Sequence, residues 1–136
     1  SNTTESYSNL SATTSYRAQV KSGVCPAQYS SESTITVNPN PVSDFNATTE
    51  CLGYNTIFTD NSSVSAGSSI VNYSWNFGNG SGSIAQNPIN QYTASGPFSV
   101  ALTTGTDKGC NNTIVKTVTV NANPNVDFNF NNVCLG

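Results

Sequence analysis

The chain repeats part of its own sequence at a constant spacing of 83 residues. Three pairs of segments keep this spacing: residues 34–41 and 117–124 (TITVNPNP and TVTVNANP), Asp44-Phe45 and Asp127-Phe128, and Cys51-Leu52-Gly53 and Cys134-Leu135-Gly136. A fixed period indicates a repeat array, and this length is the size of one small β-domain. We therefore expect one complete unit in the middle of the chain. Modules of such arrays usually act as spacers or display rods rather than as catalysts.

The hydrophobic pattern predicts strands throughout the chain. Apolar and polar residues alternate in segments 16–20, 98–102 and 118–120, and this period of two is typical of half-buried strands. Turn signals such as Ser22-Gly23 separate these segments. No segment carries the apolar stripe of an amphipathic helix. The predicted fold class is all-β, an antiparallel sandwich without substantial helix.

Segments 38–41 and 121–124 both contain proline and mark the predicted domain boundaries. Proline fixes its own φ and restricts the preceding residue, which makes these junctions short and fairly stiff. Residues 39–121 are predicted to form the complete domain. Residues 1–38 would then hold the C-terminal strands of a preceding domain, and residues 122–136 the first strand of a following one. These neighbouring domains are the expected partners within the chain.

The four cysteines are predicted to belong to a disulfide framework. Cys51 and Cys110 fall in the complete domain and are the expected pair, whereas Cys25 and Cys134 would pair with cysteines outside this sequence. Closing that loop would raise the free energy of unfolding by about 4 kcal/mol in the chain-entropy model. Buried thiols and a zinc site are the alternatives, and the isolated cysteines and lack of histidine disfavour zinc. Disulfides would imply an oxidising, extracytoplasmic compartment.

The charge content argues against several function classes. Only 8% of the residues are charged and the net charge is −3, against about 25% charged residues in an average soluble domain. Four basic residues cannot build the phosphate-binding stripe of a nucleic-acid-binding protein. No apolar run approaches the ~20 residues that span a bilayer. Without histidine no hydrolase triad can be assembled. No motif positions a pair of the scattered acidic residues for acid–base work, so we predict a protein that is not an enzyme.

The most specific segment is WNFGNGS at residues 75–81, followed by Asn87-Pro88, Gln91-Tyr92 and GPFSVAL at residues 96–102. In this order the segments resemble the signature of the PKD domain, which reads W-D-F-G-D-G-S, N-P, H-x-Y and G-x-Y-x-V-x-L. The resemblance covers residues 42–120 and implies a seven-stranded, immunoglobulin-like sandwich. The residues that carry it are Trp75, Phe77, Gly78, Gly80, Tyr92, Phe98, Val100 and Leu102.

The resemblance also implies a role for several of these residues. Trp75 would fill the core between the sheets, and Phe98 would point inward on a neighbouring strand. Gly78 and Gly80 would supply the positive φ angles of a tight turn. Asn76 and Asn79 replace the two aspartates of the signature. Because hard cations favour charged oxygen ligands, these amides weaken the case for calcium, and no cofactor is predicted.

Residues 13–37 resemble a different module, the closing strands of immunoglobulin-like repeats in very large surface proteins of Bacteroidetes. The alternation of such repeats with PKD units resembles the gliding adhesins and related type IX-secreted proteins of that phylum. This resemblance implies a non-catalytic structural or adhesive module of a large cell-surface protein. It would act outside the cell as a spacer or force-bearing stalk in adhesion or surface motility.

The alternative function is an accessory, polymer-binding module of a secreted hydrolase, because PKD domains also accompany chitinases, collagenases and proteases. The partner would then be a surface polysaccharide or a protein, which the sequence does not identify. A carbohydrate-binding platform usually exposes several coplanar aromatic rings. Here mainly Tyr54 and Tyr73 are expected at the surface, so the sequence favours the structural role.

Overall fold

The computed structural model describes residues 10–129, and within them the chain forms strands and no helix. The strands are β1 (Thr14–Tyr16), β2 (Gln19–Val20), β3 (Gln28–Tyr29), β4 (Ser33–Ile35), β5 (Phe45–Ala47), β6 (Glu50–Cys51), β7 (Asn55–Asp60), β8 (Ile70–Asn76), β9 (Gly82–Ser83), β10 (Ile89–Gln91), β11 (Gly96–Thr106) and β12 (Asn111–Asn121). The all-β prediction is confirmed. In this part of the chain there is consequently no helix long and apolar enough to cross a membrane.

The first four strands form two small antiparallel sheets, β1 with β4 and β2 with β3. Most of their side chains are exposed, and the guanidinium of Arg17 lies 4.4 Å from the centroid of the Tyr29 ring. Residues 122–129 form no strand. The remainder of the predicted following domain, including Cys134, lies outside the described residues.

Strands β5 to β12 form a two-layer sandwich. One layer has the order β10-β7-β5 and the other β6-β12-β11-β8-β9. The pairs are antiparallel except β6 with β12, which is parallel. The first segment of the domain crosses between layers, because Phe45 pairs with Asp60 in one sheet and Glu50 pairs with Val120 in the other.

Residues 39–121 contain eight strands, whereas the resemblance implied seven. The split of the first segment into β5 and β6 and the two-residue strand β9 account for the larger number.

The core lies between the two layers. Alternation along each strand sends every second side chain inward, and nine hydrophobic residues are buried there: Phe45, Phe58, Trp75, Phe77, Tyr92, Val100, Leu102, Val118 and Val120. Five of the nine are aromatic. Four of their ring pairs meet at tilted or edge-on angles that suit aromatic quadrupoles, and the rings of Trp75 and Phe77 are stacked. This aromatic core fixes how the two sheets face each other and which strand faces remain for solvent.

Candidate functional site

Trp75, the residue at the centre of the signature, is part of the core. Only 3% of its surface is exposed, and its ring centroid lies 5.1 Å from that of Phe45 and 5.4 Å from that of Phe58. Its indole N–H donates a 2.9 Å hydrogen bond to the carbonyl oxygen of Ala85. The indole is therefore satisfied inside the protein and is not available as a stacking surface for a ligand.

The glycines of the signature form a tight turn after β8. Gly78 and Gly80 have φ angles of 76° and 88°, in the left-handed region that favours glycine. At Gly78 space is limiting as well, because a Cβ atom there would lie 2.6 Å from the carbonyl oxygen of Ser99. Around Gly80 no such neighbour exists within 4 Å. The two glycines are therefore required by the backbone conformation of this turn.

The two amides that replace the aspartates of the signature hold this turn. The Oδ1 atom of Asn76 accepts a 2.9 Å hydrogen bond from the Gly78 N–H. The Oδ1 atom of Asn79 accepts hydrogen bonds from the backbone N–H and the hydroxyl of Ser81, at 3.1 and 2.5 Å. Within residues 10–129, acidic, cysteine and histidine side chains form no group of three or more that could hold a metal ion. The structure thus gives these amides a structural role.

The other signature residues also pack inside. Phe77, Tyr92, Val100 and Leu102 are buried, and the half-buried ring of Phe98 lies 4.2 Å from that of Tyr92. The Tyr92 hydroxyl donates a 3.1 Å hydrogen bond to the carbonyl oxygen of Phe77, and burial raises the pKa of Tyr92. As a group, the signature residues form the core and its adjoining turn rather than a binding site.

The two tyrosine rings expected at the surface differ in how far they are exposed. Tyr54 is exposed, with 66% of its surface accessible. Tyr73 is half-buried and packs against the core, because it lies on the inner face of β8 two residues before Trp75. Burial and the neighbouring Asp60 raise the pKa of its hydroxyl. The expectation that Tyr73 is a surface ring is therefore wrong.

The outer face of the five-stranded sheet carries no charged side chain along β8, β11 and β12. We call this surface the neutral face. By alternation with the buried positions, it consists of Asn72, Ser74, Asn76, Ser99, Ala101, Thr103, Thr113, Val115, Thr117 and Thr119. The hydroxyls of Thr103 and Thr113 on adjacent strands lie 2.8 Å apart. Sequence reasoning did not single out this surface, although the uncharged alternate positions of these strands were the available signal.

A cleft opens at the side of the sandwich, where β5 runs past β12. We call it the edge cleft; its volume is about 250 Å³ and it is lined by residues 45–49 and 116–119. The Nζ atom of Lys116 lies 2.6 Å from Oδ1 of Asp44 and donates a 2.6 Å hydrogen bond to the carbonyl oxygen of Phe45. The hydrogen bond from Lys116 holds the pKa of the Asp44 carboxyl below its ordinary value of 3.8.

The structure contradicts the predicted disulfide between Cys51 and Cys110. Cys51 pairs with Asn121 at the C-terminal end of β12, and Cys110 immediately precedes the other end of this 11-residue strand. At a rise of about 3.3 Å per residue, the 11 residues from Cys110 to the partner of Cys51 separate the two cysteines by roughly 36 Å, whereas a disulfide needs Cα atoms within about 7 Å. Both thiols are free, as is the exposed thiol of Cys25.

This arrangement places the two cysteines of the domain at opposite ends of the sandwich. The sulfur of Cys110 lies 3.8 Å from the carbonyl oxygen of Asn38, where the chain enters the domain. Cys51 lies beside Asn121, where the chain leaves it. The sequence places both cysteines in one domain but does not show that the first segment crosses to the far end of the last strand.

The part of the chain that matches a known family coincides with the sandwich. The PKD domain family matches residues 38–122, and a family described as "Domain of unknown function (DUF8696)" matches residues 1–39. The chain belongs to the PKD domain family. It is 37% identical over 98 residues to the pre-pro-metalloprotease PrtV of Vibrio cholerae, a match that covers 70% of the chain and 10% of the relative.

Two solved structures are similar to the sandwich. The PKD1 domain of Vibrio anguillarum Epp has 33% sequence identity and a TM-score of 0.59, with 64% of this chain and 100% of that chain covered. The PKD1 domain of the Vibrio cholerae metalloprotease PrtV has 36% identity and a TM-score of 0.56, with 60% and 98% covered. Because the chain spans about 10% of the length of the curated relatives, their similarity describes one module and not a whole protein.

Proposed function

We propose that the chain is an accessory, non-catalytic module of a larger extracellular protein, and that it binds a polymeric carbohydrate or protein beside a hydrolase domain. The observation that carries this proposal is the 37% identity to part of a pre-pro-metalloprotease. This is the second of the two functions inferred from the sequence. The matches reported above are to Vibrio PKD domains and lend no support to a relationship with gliding adhesins.

The neutral face supports a polymer-binding role and suggests its chemistry. A face built of hydroxyls, amides and methyl groups has no charge to pair with an ionic ligand, so a neutral polymer suits it better than a charged one. Aromatic stacking would contribute little, because five of the eight aromatic rings in residues 39–121 are buried in the core. Binding would therefore rely on many weak hydrogen bonds along a repeating ligand, and it would gain strength through multivalency.

The test is retention of the chain on insoluble chitin, cellulose and fibrous collagen. Thr103→Lys places a charge in the middle of the neutral face. Thr59→Lys places the same charge on the exposed face of β7 in the other sheet and serves as the matched control. We expect at least one polymer to retain the wild-type chain, with affinity reduced at least about fivefold (about 1 kcal/mol) by Thr103→Lys only. The proposal would be refuted if none of the polymers retained the wild-type chain and the Thr59→Lys control. It would also be refuted if Thr103→Lys and Thr59→Lys were retained equally.

A spacer role is the second candidate function. It is favoured by the 83-residue repeat and by the positions of Asn38 and Asn121, at which the chain enters and leaves the sandwich at opposite ends of β12. A module connected end to end in this way would extend an array lengthwise. The gene of the whole protein discriminates the two roles, because a long series of repeats favours a stalk and a neighbouring catalytic domain favours the accessory module.

A further inference from the structure

We propose that the open edge of β12 is a separate binding site that takes an extended polypeptide segment as an additional strand. This inference does not rest on the neutral face or on the proposed polymer. It concerns the backbone of one strand and the edge cleft beside it, which none of the roles described above uses.

The edge of β12 is open over most of its length. On one side β11 pairs with it from Asn111 to Val120. On the other side β6 pairs only with Val120 and Asn121, and in residues 10–129 no other strand pairs with this edge. Strand β5, which runs nearest, pairs with β7 instead. A stretch of β12 from Thr113 to Thr119 is therefore left without a neighbouring strand.

Hydrogen bonds at the two ends of β12 show which backbone groups face the open side. The carbonyl of Asn121 accepts a hydrogen bond from Leu52, away from β11, whereas the carbonyl of Cys110 accepts one from Thr106, toward β11. Because backbone groups alternate in direction along a strand, the odd-numbered residues face the open side. The Thr113 N–H already donates a hydrogen bond to Oδ1 of Asn112 and is not available to an added strand. Val115 and Thr117 then present their N–H and C=O groups to the open side of β12, and Thr117 also lines the edge cleft.

Lys116 occupies the place where an added strand would lie. Its side chain crosses the edge cleft from β12, and its Nζ atom donates to the carbonyl of Phe45, as a backbone N–H of an inserted strand would. An inward-pointing lysine of this kind is a known protection of sheet edges against unwanted pairing. Here the side chains of Lys116 and Asp44 remain 37% and 47% exposed, so the lysine can move into solvent and open the cleft.

The shape and chemistry of the cleft favour a peptide as the occupant. Its volume of about 250 Å³ is below the range of about 300–1,000 Å³ that buries a small molecule. What the edge offers instead is a row of donors and acceptors at strand spacing, and another extended backbone complements such a row. Apart from Lys116, whose charge Asp44 neutralises, the lining side chains are uncharged. We therefore assign the cleft an uncharged, extended polypeptide segment.

Titration of the 15N-labelled chain with a capped eight-residue peptide of alternating threonine and valine tests the assignment. We expect amide shifts at Val115, Thr117 and Thr119. Thr117→Pro removes an N–H that faces the cleft and leaves the bonds to β11, so it should weaken binding at least about tenfold while the sheet persists. Thr117→Val keeps that N–H and should bind like wild type.

A second peptide, N-methylated at alternate residues, tests the same hydrogen bonds in the unaltered protein and should not bind. Binding of this peptide, equal affinity of the two Thr117 variants, or an absence of shifts with the unmodified peptide would overturn the assignment. Shifts of the same amides on concentrating the protein without peptide would also overturn it, since the edge would then pair with a second copy of the chain. None of these outcomes affects whether Thr103→Lys reduces retention on a polymer, so the two proposals can fail separately.

Discussion

Replacing Gly78 by alanine should destabilise the sandwich considerably more than replacing Gly80, although both glycines have positive φ angles in the same turn. A left-handed conformation costs an alanine about 1–2 kcal/mol, so both substitutions lower the free energy of unfolding by this amount. At Gly78 the new Cβ would also lie 2.6 Å from the carbonyl oxygen of Ser99, whereas around Gly80 nothing lies within 4 Å. Overpacking of this kind adds about 1–3 kcal/mol. We therefore expect a loss of about 2–5 kcal/mol for Gly78→Ala and about 1–2 kcal/mol for Gly80→Ala.

The assay is urea unfolding followed by tryptophan fluorescence. Trp75 is the single tryptophan and is buried in the core of this domain, so its emission reports the unfolding of the sandwich. A gap of 1–3 kcal/mol between the variants corresponds to at least about 4 °C in melting temperature for a domain of this size. Equal losses for the two variants would show that the close approach of Gly78 to Ser99 is absent in solution, and the argument from backbone contact would fail.

Three further outcomes follow from the core, the ion pair and the cysteines. Trp75→Ala should lower the free energy of unfolding, measured by circular dichroism, by about 3–5 kcal/mol. A fluorescence maximum of the native wild-type protein typical of solvated tryptophan would contradict the burial of Trp75. Since the pKa of Asp44 is lowered from 3.8, its ion pair stabilises the fold above that pH and ceases to do so as the pH falls through the lowered value. The stability advantage of wild type over Asp44→Asn should therefore vanish in acid, and an advantage independent of pH would refute this role. Non-reducing peptide mapping should find Cys51 and Cys110 unlinked to each other, and a crosslinked peptide pair would contradict the fold.

The core and the fold class could be predicted from the sequence because they follow from local patterns. Alternation in β11 and β12 places Val100, Leu102, Val118 and Val120 inside, as a period of two requires. The WNFGNGS segment likewise combines a large aromatic residue with glycines at a turn, and both features act within a few residues. Such signals survive in a single sequence because each depends on neighbours along the chain.

The disulfide and the candidate surfaces could not be predicted because they depend on long-range pairing. The crossing of the first segment between β5 and β6 places Cys51 at the far end of β12 from Cys110, and no local pattern encodes that crossing. The edge cleft has the same origin, since it is the gap that this crossing leaves beside β12. The uncharged alternate positions of β8, β11 and β12 can be found in the sequence, but only the register of the three strands shows that they form one face.

The positions of the two cysteines determine how far the domain can extend under load. With Cys51 and Cys110 free, all of residues 39–121 can extend when the domain is stretched between Asn38 and Asn121. At about 3.5 Å per residue, and allowing for the folded length, the gain in contour length is roughly 250 Å. A bridge between the two cysteines would lock the intervening loop and reduce the gain to roughly 50 Å. Single-molecule stretching of the domain without and with reductant should therefore give the longer step in both conditions. A short step that becomes long on adding reductant would show that the bridge forms, and the strand arrangement that separates the two cysteines would have to be abandoned.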